Sequence, residues 1–155
     1  MHLRFKALGR KVYIGVSKQY EMLGVNSLLT DGQHCLMWDF DDVPLPNVRA
    51  ALARTCDRWK LSEVHILQSS YPSSYHAYCW TRMPWQDAFT AVYNTDYVDP
   101  VFAKFGLLRE FFTLRRNDKR HGVLRHVAKV TSEIAPTVNP YTDMQSHLVY
   151  ETKKG

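Results

Sequence analysis

Two aspartates one residue apart, in the stretch LMWDFDD at residues 36–42, stand at the end of a run of large apolar side chains. Buried charge is costly unless it is paired or holds a cation. On a β-strand successive side chains alternate, so Asp39 and Asp41 share one face with Met37,. Leu36, Trp38 and Phe40 share the other. Acids at i and i+2 can reach the same one or two divalent ions with little backbone adjustment. Mg2+ or Mn2+ held by carboxylates and shared with a triphosphate is a usual arrangement for phosphoryl transfer. Asp42 breaks the alternation and falls outside the set. His76 lies on a second expected strand, SYHAYCWT, where it shares a face with Ser74, Tyr78 and Trp80. If the two strands are neighbours, Asp39, Asp41 and His76 lie side by side. The plainer reading of DFDD is a turn-forming acidic cluster before a proline-rich loop, and a lone strand histidine is ordinarily a hydrogen-bonded surface residue. Both groups on one expected face favour the metal reading.

The elements that must position these groups follow from pattern and punctuation. Lys11 to Val16 has strand character, and the stretch from there to Thr30 is poorly patterned. A TDG turn signal at residues 30–32 precedes the strand QHCLMWDF,. Pro44 and Pro46 end it, and Asn47 is placed to cap a helix whose Val48, Ala51, Leu52, Thr55, Cys56 and Trp59 recur at steps of three and four,. EVHILQ and SYHAYCWT, joined by SSYPSS, read as an antiparallel hairpin,. Pro84 opens one further helix and Asp99-Pro100 another,. REFFTLRR and GVLRHVAKV read as strands, and the tail from Ile134 has no clear assignment. The order strand–helix–strand–strand–helix–strand predicts an α+β fold of ferredoxin-like or RNA-recognition type: an antiparallel sheet, helices on one face, the other face open.

Length and composition set the frame. The 155 residues suit a single domain spanning 1–155,. The net charge of +5 fits a polyanionic partner,. Cys35, Cys56 and Cys79 form no CxxC pair and no disulfide framework, which points to reduced thiols in a cytoplasmic setting,. No segment reaches transmembrane length, so no membrane role is expected.

Three short motifs, Trp38-Asp39-Phe40-Asp41, Ser74-Tyr75-His76 and Val98-Asp99, follow one another in the order found in the archaeo-eukaryotic primase superfamily, the primase-polymerases. The second and third lie 35 and 23 residues beyond the one before, and VDPVFAKFGLLREFFTLR after the third resembles the family's acid, short helix and basic strand. The resemblance covers about residues 33–116. It implies template-directed nucleotidyl transfer: primer synthesis or polymerisation during DNA replication, with two divalent metals, Mg2+ or Mn2+. Asp39, Asp41 and Asp99 would then ligate metal, and Ser74 and His76 would contact the incoming nucleotide's phosphates. Lys104, Arg109 and Arg115 are candidate triphosphate or template contacts, because a basic side chain offsets phosphate charge. Single-stranded DNA template and nucleoside triphosphates are the implied partners. A helicase or accessory replication protein would act in trans, since no accessory domain fits in the chain. A viral or plasmid replicon would suit so small a core.

Asp99 has a second reading as the N-cap of the helix that Pro100 opens, and the two roles can coexist. Asp96 and Asp118 are the fallback third acids. SSYPSSYH lacks the glycines common at that turn in the family. Tyr78, Trp80, Phe111 and Thr113 are candidates for a base-stacking platform on the open face. Arg116, Lys119 and Arg120, in RRNDKRH, are candidates to grip a nucleic-acid backbone,. Three rivals remain: a non-catalytic RNA-recognition-type module, a rolling-circle replication nuclease, and a metal-dependent phosphatase or nuclease. The second needs paired histidines on one strand and a nucleophilic tyrosine. Here His65 and His76 stand on separate strands, and Tyr93 and Tyr97 lack a convincing partner.

Overall fold

A computed structural model describes the backbone of residues 2–7, 10–15, 19–116, 124–145 and 148–153, and the side chains of 24–116 and 124–145. The chain runs β1 (His2–Ala7), β2 (Arg10–Gly15), β3 (Gln19–Asn26), β4 (His34–Phe40), α1 (Leu45–Trp59), β5 (Val64–Ser70) and β6 (Ser74–Met83). It continues as α2 (Trp85–Tyr93), α3 (Pro100–Arg109), β7 (Thr113–Arg115), β8 (Arg125–Val130) and β9 (Leu148–Lys153). The class is α+β. The main sheet has the order β4-β6-β5-β8, a second has β7-β3-β9, and β1 pairs with β2.

β4 and β5 both pair antiparallel with β6, so they run parallel to each other and α1 crosses between them. This split β-α-β unit is shared with ferredoxin-like folds. The sheet is extended beyond β5 by β8, whereas β7 pairs with β3 in the other sheet.

One face of β4 carries the core. Leu36, Trp38 and Phe40 are fully buried. The Trp38 indole N–H donates to the Thr95 hydroxyl at 2.9 Å, just past α2, and Thr95 lies 3.0 Å from the Thr55 hydroxyl of α1. Burying an indole N–H demands such a partner. The buried face of α1 is Val48, Ala51, Leu52, Thr55 and Cys56, the spacing its sequence carries.

Several local expectations are corrected. Asn47 lies within α1 and does not cap it; the cap position is Pro44, and Pro46 sits in the first turn. Two prolines remove donors that would otherwise need capping. The strand expected at REFFTLRR shrinks to Thr113–Arg115, because α3 runs through Arg109 and Glu110 turns left-handed at φ 60°. The stretch before Thr30 contains β3. Its Val25, with Leu114 of β7, joins the same buried core as Met37 and Tyr78. The face expected to be open is therefore partly covered: Met37 is fully buried and His76 is 2% exposed.

Cys35, Cys56 and Cys79 are buried free thiols. Burial pushes Cys35 and Cys56 up to about 12. Among the described residues no helix is long and apolar enough to cross a membrane.

A candidate metal and nucleotide site

Asp39 leaves β4 on the face opposite Trp38 and pairs in register with His76 of β6. One residue past the strand end, Asp41 is exposed, and Asp42 turns left-handed at φ 56°. Aspartate tolerates that conformation better than most residues, so the chain can reverse directly after the pair. Asp99 arrives from the loop before α3, and its backbone N–H donates to the Asp39 carbonyl at 2.8 Å. Asp39, Asp41 and Asp99 each bring a carboxylate oxygen within 4.8 Å of the others.

Asp99 also caps α3. One of its oxygens accepts from the Val101 N–H at 3.3 Å and the other from the Phe102 N–H at 2.8 Å. Each carboxylate oxygen has two lone pairs, so capping leaves acceptor capacity on both. Capping therefore leaves the geometry able to accept a cation at the same carboxylate.

His76 Nε2 lies 3.6 Å from Asp39 Oδ1, beyond ordinary hydrogen-bond length,. Its Nδ1 is buried with no hydrogen-bond partner among the described residues. Burial first, and then the Arg115 guanidinium, push the imidazole down to about 3. It is neutral at physiological pH and brings no positive charge to the carboxylates. An all-oxygen set of three acids suits a hard divalent cation such as Mg2+ or Mn2+ better than a soft metal.

A pocket of about 200 Å3 opens beside the acids, walled by Asp39, Asp99, Phe105, Arg109, Phe111 and Thr113. The Arg109 guanidinium sits 5.2 Å from the centre of the Phe105 ring, which holds a cation at this wall,. Arg115 donates to the Ser69 carbonyl at 3.0 Å, on the far side of His76. Ser74 is buried at the start of β6, on the His76 face by strand alternation,. Lys104 is exposed on α3 and lies outside this pocket's lining. Asp96 pairs with Arg54 at 2.7 Å, away from the cluster. Asp118, Lys119 and Arg120 lie outside the described residues.

The expected four-residue aromatic platform is divided in two. Phe111 and Thr113 line the acid pocket, whereas Tyr78 and Trp80 stack on each other, 6.0 Å between centres, and border a larger cavity with Arg116. The reason is β7: pairing with β3 takes it out of the sheet that carries β6. Phe105 of α3 is a wall residue that was not among the expected ones. Its place four residues before Arg109, on the same face of α3, was the available signal,.

Comparison of the chain with protein-family models, with curated proteins and with solved structures finds no match.

Proposed function

We propose that the chain is a metal-dependent nucleotidyltransferase of primase-polymerase type, joining nucleotides on a single-stranded DNA template. One observation carries the reading: three carboxylates from separate points of the chain come within 4.8 Å of one another, with the buried His76 imidazole 3.6 Å from one of them. The order of the three motifs in the sequence supports the same reading.

Asp39, Asp41 and Asp99 would hold Mg2+ or Mn2+. A cation so held supplies charge neutralisation for a triphosphate and lowers the pKa of the attacking hydroxyl. The chain's own groups have distinct tasks. Arg109, at the pocket wall, offers its fork of donors to phosphate oxygens. His76, covered in the sheet with Nε2 3.6 Å from Asp39 Oδ1, backs that carboxylate as a positioning residue and does not reach the pocket itself. The hydrogen bond from Asp99 N–H to the Asp39 carbonyl fixes the spacing of the acids before any ligand arrives, so little ordering remains to be done on binding.

The deciding experiment supplies single-stranded template, labelled nucleotides and Mn2+ or Mg2+. Extension or dinucleotide products are expected from the wild-type chain and lost in Asp39→Asn and Asp41→Asn. A strand that is cut, or bound with no product, overturns this reading in favour of a nuclease or a non-catalytic binding module.

A further inference from the structure

A second cavity lies farther along the same sheet face. It encloses about 800 Å3, within the range of about 300–1,000 Å3 usual for ligand pockets,. β6 contributes Tyr78 and Trp80 to its wall, β5 contributes His65 and Leu67, and the segment after β8 contributes Tyr141 and Met144. Tyr78 and Trp80 follow His76 by two and four residues, about 7 and 13 Å along the strand at about 3.3 Å per residue.

Tyr141 is the telling residue. Its side chain is 95% exposed, yet the turn that carries it is tightly built. Asn139 Oδ1 accepts from the Tyr141 N–H at 3.0 Å, and the Asn139 carbonyl accepts from Thr142 and Asp143 at 3.2 and 2.9 Å. Asp143 in turn accepts from the Asn139 N–H at 3.0 Å and is paired with Arg82. A fixed turn thus places the Tyr141 backbone at the mouth of an aromatic-lined cavity and leaves its ring uncovered. Ring faces presented without apolar cover are what a stacking base uses. A basic side chain, Arg116, lines the cavity, and Lys129 stands on β8 in register with the lining residue His65. The nearby acids are paired: Glu63 with Lys129 at 2.8 Å, and Asp143 with Arg82.

We infer that this cavity takes a nucleobase of a single strand, stacked against Trp80 and Tyr141, while the strand's phosphates lie toward the basic rim. The inference rests on the polymerase reading for the identity of the strand as template. It assigns that template a foothold one cavity away from the three acids.

The test measures binding of fluorescein-labelled 12-mers of deoxythymidine and of deoxyadenosine by anisotropy, with chelator present and no nucleotides. Wild-type protein is expected to bind at least one 12-mer, more weakly as salt rises. Tyr141→Ala and Trp80→Ala are expected to weaken it by about tenfold or more, the scale of one lost base stack. Tyr141 is exposed enough that its removal leaves the fold intact, so that variant decides the matter if Trp80→Ala misfolds. Tyr71→Ala, which removes another uncovered ring that lines neither this cavity nor the acid pocket, is expected to leave this affinity unchanged. Equal affinity in wild type and Tyr141→Ala, or no binding to either 12-mer, overturns the inference. Tyr141-sensitive binding without any nucleotide incorporation retires the polymerase reading and keeps the cavity's role. Incorporation with Tyr141-insensitive binding does the reverse.

Discussion

The backbone N–H of Asp99 and the carbonyl of Asp39 meet at 2.8 Å across 60 residues of chain. Through this bond the end of β4 and the start of α3 share one anchor, and the acid cluster is a property of the backbone before it is one of side chains. Two roles of Asp99 can therefore be separated by substitution. Asparagine caps a helix about as well as aspartate, whereas alanine loses about 0.5–2 kcal/mol. Asp99→Asn is expected to unfold in urea at the wild-type midpoint but to bind Mn2+ more weakly and lose nucleotide incorporation. Asp99→Ala is expected to lose both. Wild-type incorporation by Asp99→Asn would leave Asp99 as a cap alone.

Gly106 of α3 faces the ring of Phe112, and a Cβ added there would stand 2.5 Å from two of its ring carbons. Phe112 is 1% exposed and stacks on Phe102 at 5.0 Å between centres. Helix propensity favours Gly106→Ala by about 1 kcal/mol. Overpacking a filled core costs about 1–3 kcal/mol, so the clash wins. Chemical denaturation is expected to find the variant less stable, contrary to propensity.

Thr95 accepts from the Trp38 indole and donates to the Ala91 carbonyl at 2.8 Å. Thr95→Val keeps the shape and strands the buried indole N–H, at a cost of about 1–3 kcal/mol. Thr95→Ser retains the hydroxyl and is expected to lose less. The difference between the two variants in denaturation midpoint isolates the hydrogen bond.

His34 is 3% exposed, with Nδ1 3.3 Å from the Ser27 hydroxyl and its ring 5.1 Å from that of Trp85. Burial holds it below its ordinary 6.5. A lowered folded-state value means that the unfolded chain takes up the proton first. Stability is then complete above about pH 6.5 and falls as pH drops below it. His65 and His76 are lowered by burial too and act in the same direction. Unfolding measured from pH 7.5 to 5.5 is expected to lose stability on acidification, with a shallower slope in His34→Gln.

What the residues disclosed in advance were the elements with a strong local signature. The alternation of Leu36, Trp38 and Phe40 against Met37 and Asp39, the hairpin of β5 and β6, and the prolines opening α2 and α3 are all encoded within a few positions. β3 was not legible, because Tyr20 to Val25 lacks a clean period and its partners, β7 and β9, lie about 90 residues or more along the chain. From that omission followed the expectation of an open sheet face, where Met37 and His76 are in fact covered. The closeness of Asp39 and Asp41 was readable from their spacing, although Asp41 stands one residue past β4 and not on its face. The separation of Phe111 from Trp80 was not, since it depends on which sheet β7 joins. Tyr141 gave no signal at all, being one exposed residue in an irregular tail.

Arg82 donates to Asp31, before β4, and to Asp143, near the far end of the described core; it also reaches the Thr137 carbonyl at 3.3 Å. The Trp80 carbonyl accepts from Thr137 and Val138 at 2.9 and 3.0 Å. Between β8 and these anchors the stretch 131–136 is irregular and largely exposed. A protease cutting there would thus leave two fragments still clasped together, migrating as one species until denaturant releases them.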